Sequence, residues 1–188
     1  KAIGTESDTI IFDNYGDERW RGFTFDYCSD YTEFKHARIS GANKTDGGGM
    51  YLSNSNPIFS YVTISNNIGY RGGGMNLFSS SPILTNVTIN NNTAEFRGGG
   101  IYLELSHPKL TNGTITNNTI FHPVGGDVWS DNGGGIFFYL LSDITLTNSI
   151  IWNNYPQELF IQSGIVTANY SNIHGGWEGE GNIDADPR

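Results

Sequence analysis

The side chains best suited to chemistry in this sequence are aromatic and acidic residues that recur near four Gly-Gly-Gly triplets. Alignment on the triplets predicts an outward row of rings made up of Tyr51, Phe78, Tyr102, Phe137, Tyr139 and Phe160. Glu104 falls within the same row. Aromatic rings stack on the apolar faces of sugars, and neighbouring polar side chains bind sugar hydroxyls. The row therefore predicts a polysaccharide-binding surface. The alternative, that these rings only stabilise a sheet through cross-strand contacts, stays open.

A second column of residues stands immediately before the triplets and contains Asp46, Arg71, Arg97 and Asn132. The two arginines fall in adjacent repeats. They suit a clamp for a carboxylate-bearing sugar, because a planar guanidinium binds a carboxylate through two parallel hydrogen bonds. A solvated row of surface charges is the alternative. If the chain is an enzyme, Glu104 and Arg97 are the catalytic residues to test.

Metal and cofactor chemistry has little support in the sequence, and no cofactor is expected. Ca²⁺ is the one metal considered, with Asp127, Asp131, Asp184 and Asp186 as candidate ligands. Calcium takes about six to eight oxygen ligands, and neither acidic pair has a recognised loop spacing. Asp127 and Asp131 are also the acids that could pair with Glu104 for general acid/base catalysis.

The elements that must position these residues follow from the triplets, which begin at Gly47, Gly72, Gly98 and Gly133. Each triplet precedes an apolar-variable-apolar strand. A second strand follows it, as in Pro82–Asn92, with the pattern Pro-x-x-x-Asn-Val-Thr-Ile-x-Asn-Asn. The period-two alternation predicts strands that are buried on one face. The paired asparagines are expected to make a left-handed turn and to hydrogen-bond to the same residues one coil away.

A repeat of about 25 residues cannot bury its own apolar face, but a stack of such repeats can. The pattern predicts an all-β chain that forms a right-handed parallel β-helix of about six to seven coils. A β-propeller is the alternative, but its blades need about 40–45 residues. One domain is expected over residues 1–188. An insertion at about 119–132 carries a further ligand candidate, Trp129, and an end segment spans about 170–188.

Composition limits the partners. The net charge is −9, which argues against a nucleic-acid partner. No apolar run approaches the length of a membrane span, so no transmembrane segment is expected. The first residue is Lys1 and no signal peptide is present, so we expect a processed chain or a fragment of a longer protein.

The triplet blocks, the strands ending in paired asparagines and the tail Gly181–Pro187 resemble a known group of repeats. They are similar to the right-handed parallel β-helix repeats of secreted bacterial surface proteins. That group includes polymorphic outer-membrane adhesins and, more distantly, pectate-lyase-like enzymes. The resemblance implies a bacterial protein that is secreted or lies at the cell surface. The calcium-binding aspartate pattern of the lyases has no convincing copy here.

Three functions are carried forward. The leading expectation is an extracellular, non-catalytic module that binds a polysaccharide or cell-surface glycan, or acts as an adhesin surface. The second is a polysaccharide lyase or hydrolase acting on acidic glycans. The third is a structural scaffold whose coils stack end to end into a homo-oligomer, since the strand edges at the ends of a β-helix pair unless they are capped.

Overall fold

A computed structural model describes residues 1–121 and 133–187. The described chain is built from β-strands in three sheets, and the six-stranded sheet contributes one strand to each of about six coils. Every pair of neighbouring strands within the three sheets is parallel. The prediction of an all-β parallel β-helix is therefore confirmed. Over this part of the chain, no helix has the length and apolarity of a membrane span.

The strands of each sheet come from the same position in successive coils. The six-stranded sheet contains β3 (Phe23–Asp26), β6 (Met50–Ser53), β9 (Met75–Phe78), β12 (Ile101–Glu104), β16 (Ile136–Tyr139) and β19 (Leu159–Ile161). The four-stranded sheet contains β5 (Asn43–Asp46), β8 (Ile68–Arg71), β11 (Thr93–Arg97) and β15 (Thr119–Ile120). The eleven-stranded sheet, called the bent sheet below, contains β1 (Ala2–Ile3), β2 (Ile10–Phe12), β4 (Glu33–Ser40), β7 (Ile58–Ser65), β10 (Ile83–Asn90), β13 (Lys109–Thr111), β14 (Thr114–Thr116), β17 (Ile144–Thr147), β18 (Ile150–Trp152), β20 (Val166–Asn169) and β21 (Asn172–Ile173).

The glycine triplets form the turn between the four-stranded and the six-stranded sheets. The first glycine of each triplet is left-handed, with φ of 64°, 66°, 65° and 74° in chain order. The second glycine is required for a different reason, since a Cβ at Gly73 would lie 2.5 Å from the carbonyl oxygens of Gly99 and Thr93. The triplet is thus a turn in which adjacent coils touch backbone to backbone.

Apolar side chains fill the interior in straight ladders. Met50, Met75, Ile101 and Ile136 align in register and are fully buried, as are Leu52, Leu77, Leu103 and Phe138. The apolar-variable-apolar pattern that follows each triplet therefore corresponds to two inward ladders. The bent sheet supplies the opposing wall of the core, including Phe59, Leu84 and Ile89.

The paired asparagines that end the bent-sheet strands play two separate roles. The first of each pair is left-handed, with φ of 57° at Asn66 and 54° at Asn91. The second is buried and donates from Nδ2 to Oδ1 of the equivalent asparagine, 3.0 Å from Asn92 to Asn118. The buried ladder runs through Asn67, Asn92, Asn118 and Asn154. Both parts of the prediction are confirmed.

The two ends of the solenoid are closed differently. At the start, Phe12, Trp20, Phe23, Phe25 and Phe34 form a network of ring contacts with centroids 4.9–6.3 Å apart. At the far end, residues 177–187 fold back onto the last coil. Asn182 accepts from Ser171 N at 2.9 Å, and Ile173 N donates to Ile183 O at 3.1 Å.

Candidate functional site

The outer face of the six-stranded sheet carries the predicted row. Strand pairing aligns Tyr51, Asn76, Tyr102, Phe137 and Phe160 in one column. A neighbouring column aligns Ser53, Phe78, Glu104 and Tyr139. The register inferred from the glycine triplets is therefore confirmed strand by strand.

The rings in this row differ in exposure. Tyr102 is 1 % exposed and Phe137 is fully buried, and their rings stack with centroids 5.6 Å apart. Tyr51, Phe78, Tyr139 and Phe160 are only partly buried. A ring without an accessible face cannot stack on a sugar. The expectation of an open aromatic row is therefore wrong for Tyr102 and Phe137, which strengthen the sheet instead.

Part of the cover over the buried rings comes from the two arginines of the predicted clamp. The guanidinium carbon of Arg97 lies 4.7 Å from the Phe137 ring centroid and 4.5 Å from that of Phe96. Arg71 lies 5.6 Å from the Tyr102 centroid and 5.9 Å from that of Tyr70. Each guanidinium thus contacts one ring of the six-stranded sheet and one of the four-stranded sheet, a geometry that favours cation–π attraction.

These arginines are more constrained than a solvated surface row. Arg71 and Arg97 stand in register and are both partly buried. The Nε atom of each is buried, without a hydrogen-bond partner among the described residues. The rings of Tyr70 and Phe96 stack 5.3 Å apart, which continues the contact between the two coils. The arrangement is a double stack of guanidinium and aromatic groups.

The same face continues toward the start of the chain with another cation. Lys44 Nζ lies 5.5 Å from the Tyr51 ring centroid and donates to Thr24 Oγ1. Partial burial lowers the pKa of Lys44, and the carboxylate of Asp46 opposes that shift. Asp46 also accepts from Asn76 Nδ2 at 3.4 Å. The face therefore presents cations and acceptors side by side.

Glu104 lies beside the buried tyrosine. The Tyr102 hydroxyl donates to Glu104 Oε2 at 3.4 Å. Burial raises the pKa of Tyr102 far above its usual value, and the Glu104 carboxylate adds to that shift, while Arg71 and Arg97 oppose it. Tyr102 is thus a neutral hydrogen-bond donor at physiological pH. Glu104 is a partly exposed carboxylate between Phe78 and Tyr139.

The remaining predicted candidates lie outside the described residues or in the tail. Trp129, Asp127, Asp131 and Asn132 lie outside the described residues. Thr119–Ile120, the first two residues of the predicted insertion, forms β15 and pairs with β11. Asp184 and Asp186 are exposed in the tail. Within residues 1–121 and 133–187, no three His, Cys, Asp or Glu residues are grouped in a way that could hold a metal ion. The calcium hypothesis stays a prediction.

The sequence contains a further signal for the arginine contacts. An aromatic residue precedes each arginine, in Tyr70-Arg71-Gly72 and in Phe96-Arg97-Gly98. These are the rings of the four-stranded sheet that contact the guanidiniums. Lys44 was also missed, because it stands two positions before Asp46 and has no counterpart of the same charge in the next coils.

The chain forms a parallel β-helix, and successive coils contribute aromatic and charged side chains to the outer face of its six-stranded sheet. The family model described as the right handed beta helix region matches residues 5–134, which is more than half of the chain. The chain therefore belongs to the right-handed β-helix family. No curated protein and no solved structure matched it.

Proposed function

We propose that the chain is an extracellular β-helix module that binds a polysaccharide along the outer face of the six-stranded sheet without cleaving it. The observation that carries the proposal is the double stack of Arg71 and Arg97 on aromatic rings beside other, partly exposed rings. An extended glycan suits such a face, because equivalent positions repeat from coil to coil about 4.8 Å apart.

The accessible rings provide the apolar part of the site. Phe78 and Tyr139 flank Glu104 in one column, and Tyr51 and Phe160 lie near the two ends of the other column. Sugar rings pack against such side chains, while the partly exposed carboxylate of Glu104 can accept from their hydroxyls. The partial burial of these rings also limits the side-chain entropy that is lost on binding.

The arginines favour a glycan that carries carboxylates. A guanidinium next to two aromatic rings still has N–H groups in its plane, and these match a carboxylate in a bidentate geometry. Lys44 adds a third cation.

The overall charge of −9 opposes an anionic ligand at long range, so we expect binding to strengthen at moderate salt, where the distant charges are screened.

The experiment is affinity electrophoresis of the chain in gels containing polygalacturonate or alginate, with hydroxyethylcellulose as the neutral comparison. We expect retardation by the acidic polymers. Arg97→Lys keeps the charge but loses the planar fork, and should weaken binding about tenfold, the effect of losing one charge-assisted hydrogen bond. Phe78→Ala and Tyr139→Ala should each weaken binding to the acidic polymers, because they remove a ring that packs against the sugars.

Lys109→Ala is the matched control, because Lys109 is an exposed cation on the bent sheet. It should bind like the unaltered chain. Equal binding by Arg97→Lys and the unaltered chain, or no retardation by any polymer, would contradict the proposed site. Release of unsaturated uronates from the acidic polymers, abolished by Glu104→Gln, would support the lyase alternative, which the contact between Glu104 and Tyr102 favours.

A further inference from the structure

A cleft lies at the far end of the solenoid. It shares no residue with the aromatic and arginine face of the six-stranded sheet. Its volume is about 380 Å³, and its lining includes Glu158, Leu159, Ile173, His174 and Trp177. Ligand pockets typically combine an apolar lining with a few fixed polar groups. The cleft has an apolar lining and two polar groups, Glu158 and His174, that are held in position by neighbouring side chains.

Glu158 takes the place of the next asparagine in the buried ladder. Asn154 Nδ2 donates to Glu158 Oε2, and the Asn154 backbone N–H lies 3.2 Å from the same oxygen. Only 10 % of the Glu158 side chain is exposed. The ladder of polarised amides thus ends on a buried carboxylate, which is fixed in position by its donors.

His174 is in turn fixed by Glu158. Its Nδ1 atom lies 3.2 Å from Glu158 Oε1, and its ring centroid lies 4.5 Å from that of Trp152. In the neutral imidazole, a hydrogen bond from Nδ1 to a carboxylate leaves the lone pair on Nε2. The carboxylate therefore orients the imidazole and makes Nε2 the free hydrogen-bond acceptor.

A comparison within the chain separates this pair from an ordinary surface contact. His107 Nδ1 lies 3.3 Å from Asp143 Oδ2, a similar distance, but 47 % of the Asp143 side chain is exposed. Exposed pairs of this kind contribute little, since solvent screens both partners. The two imidazoles are similarly exposed, 56 % at His174 and 54 % at His107, so the pairs differ in the carboxylate: solvent screens Glu158 less than it screens Asp143.

Trp177 supplies an apolar wall. It packs against the core while remaining partly exposed, and its Nε1 donates to Val166 O at 3.4 Å. Leu159 and Ile173 extend the apolar lining. A pyranose ring has a matching structure, with an apolar face for an indole and hydroxyl donors for an imidazole acceptor.

We infer that this cleft is a separate site for a single neutral sugar unit, in which Trp177 contacts the apolar face of the sugar and His174 Nε2 accepts a hydroxyl proton. Glu158 acts as a positioning residue that sets the imidazole tautomer. The site does not depend on the arginine stack, so the two binding activities are separable.

The test is an NMR titration of the intact chain with the methyl glycosides of glucose, galactose, mannose and N-acetylglucosamine. We expect saturable shifts of the His174 ring and the Trp177 indole signals with at least one glycoside. His174→Ala should weaken that binding at least about tenfold, because the directional acceptor is lost. Trp177→Phe keeps an aromatic ring and should weaken binding less.

His107→Ala is the matched control and should bind like the unaltered chain. The absence of saturable shifts with all four glycosides would overturn the inference. So would equal affinities for the His174→Ala variant and the unaltered chain. Because the unaltered chain is titrated first, the result does not depend on whether a variant folds.

Discussion

At the scale of single residues, Arg71 and Arg97 show how neighbouring aromatic rings restrict the conformations of a cationic side chain. Each guanidinium lies near two ring faces, from two different sheets. The contact with the rings restricts the rotamers that an exposed arginine would sample. Less side-chain conformational entropy is therefore lost when a carboxylate binds. Lysine lacks both the planar shape and the fork, which is why the Arg97→Lys change tests geometry separately from charge.

Tyr102 gives a prediction about alkaline stability. Its pKa is raised in the folded chain, first by burial and then by Glu104. The folded state therefore holds the phenol proton more tightly than the unfolded state, so stability falls as the pH rises above the unfolded pKa of about 10. The Tyr102→Phe variant lacks this proton and should lose less stability between pH 9 and about pH 11.

The measurement is the thermal midpoint of each protein across that pH range. Tyr139→Phe is the control, because it removes a phenol from a partly exposed neighbour in the same sheet. It should follow the unaltered chain. Parallel pH profiles for Tyr102→Phe and the unaltered chain would show that this tyrosine does not couple folding to pH.

At the scale of elements, the asparagine ladder ties the coils together inside the core. Asn118 accepts from Asn92 N and Nδ2 at 3.0 Å each, and donates from Nδ2 to Asn154 Oδ1 and Ile89 O at 2.9 Å each. All four contacts lie in buried surroundings. Water cannot replace a partner there without entering the core, so each lost hydrogen bond leaves an unsatisfied polar group.

Asn118→Ala should therefore destabilise the chain by about 3 kcal/mol, the cost of two or more buried groups left unpaired. Chemical denaturation of both proteins, followed by circular dichroism, gives the difference in free energy of unfolding. Asn91→Gly is the matched control, since Asn91 is exposed and left-handed with φ of 54°. Glycine adopts that conformation freely, so this change should stay within about 0.5 kcal/mol. Equal effects of the two changes would contradict the role of the ladder.

At the scale of the whole molecule, the tail determines what the far end of the solenoid presents. Asn172 Nδ2 donates to Ala185 O at 2.6 Å, and Ala185 N donates to Asn172 Oδ1 at 3.1 Å. Ile183 N donates to Ser171 O at 2.9 Å. These contacts occupy part of the last coil's edge that a second copy would need for end-to-end stacking.

Ending the chain at Gly176 should therefore expose the strand edges β20 and β21 and cause self-association. We expect the apparent mass in multi-angle light scattering to rise with concentration for the truncated chain and to stay constant for the full chain. Glu180→Ala is the control, because it removes the side-chain contact with Tyr170 but keeps the tail backbone. A truncated chain that keeps a constant mass would show that the tail is not the cap. Concentration-dependent mass in the full chain would support the end-to-end alternative.

The repeat made much of the fold predictable. Met50, Met75, Ile101 and Ile136 could be aligned from the triplets alone, because each stands directly after its triplet whatever the length of the coil. The outward columns were predictable for the same reason. Glu158 was not, because no paired asparagines mark its position and its carboxylate reaches the ladder from a different local sequence.

The sequence alone determined the coil, its register and the direction in which each side chain points, since these depend on local periodicity and on glycine and asparagine conformations. The tertiary structure decided which outward rings stay accessible. Tyr102 and Phe137 belong to the same column as Phe160, yet they are buried while Phe160 is partly exposed. The physical reason is that burial depends on what crosses over a position from a neighbouring sheet and coil, as the guanidiniums of Arg71 and Arg97 do here.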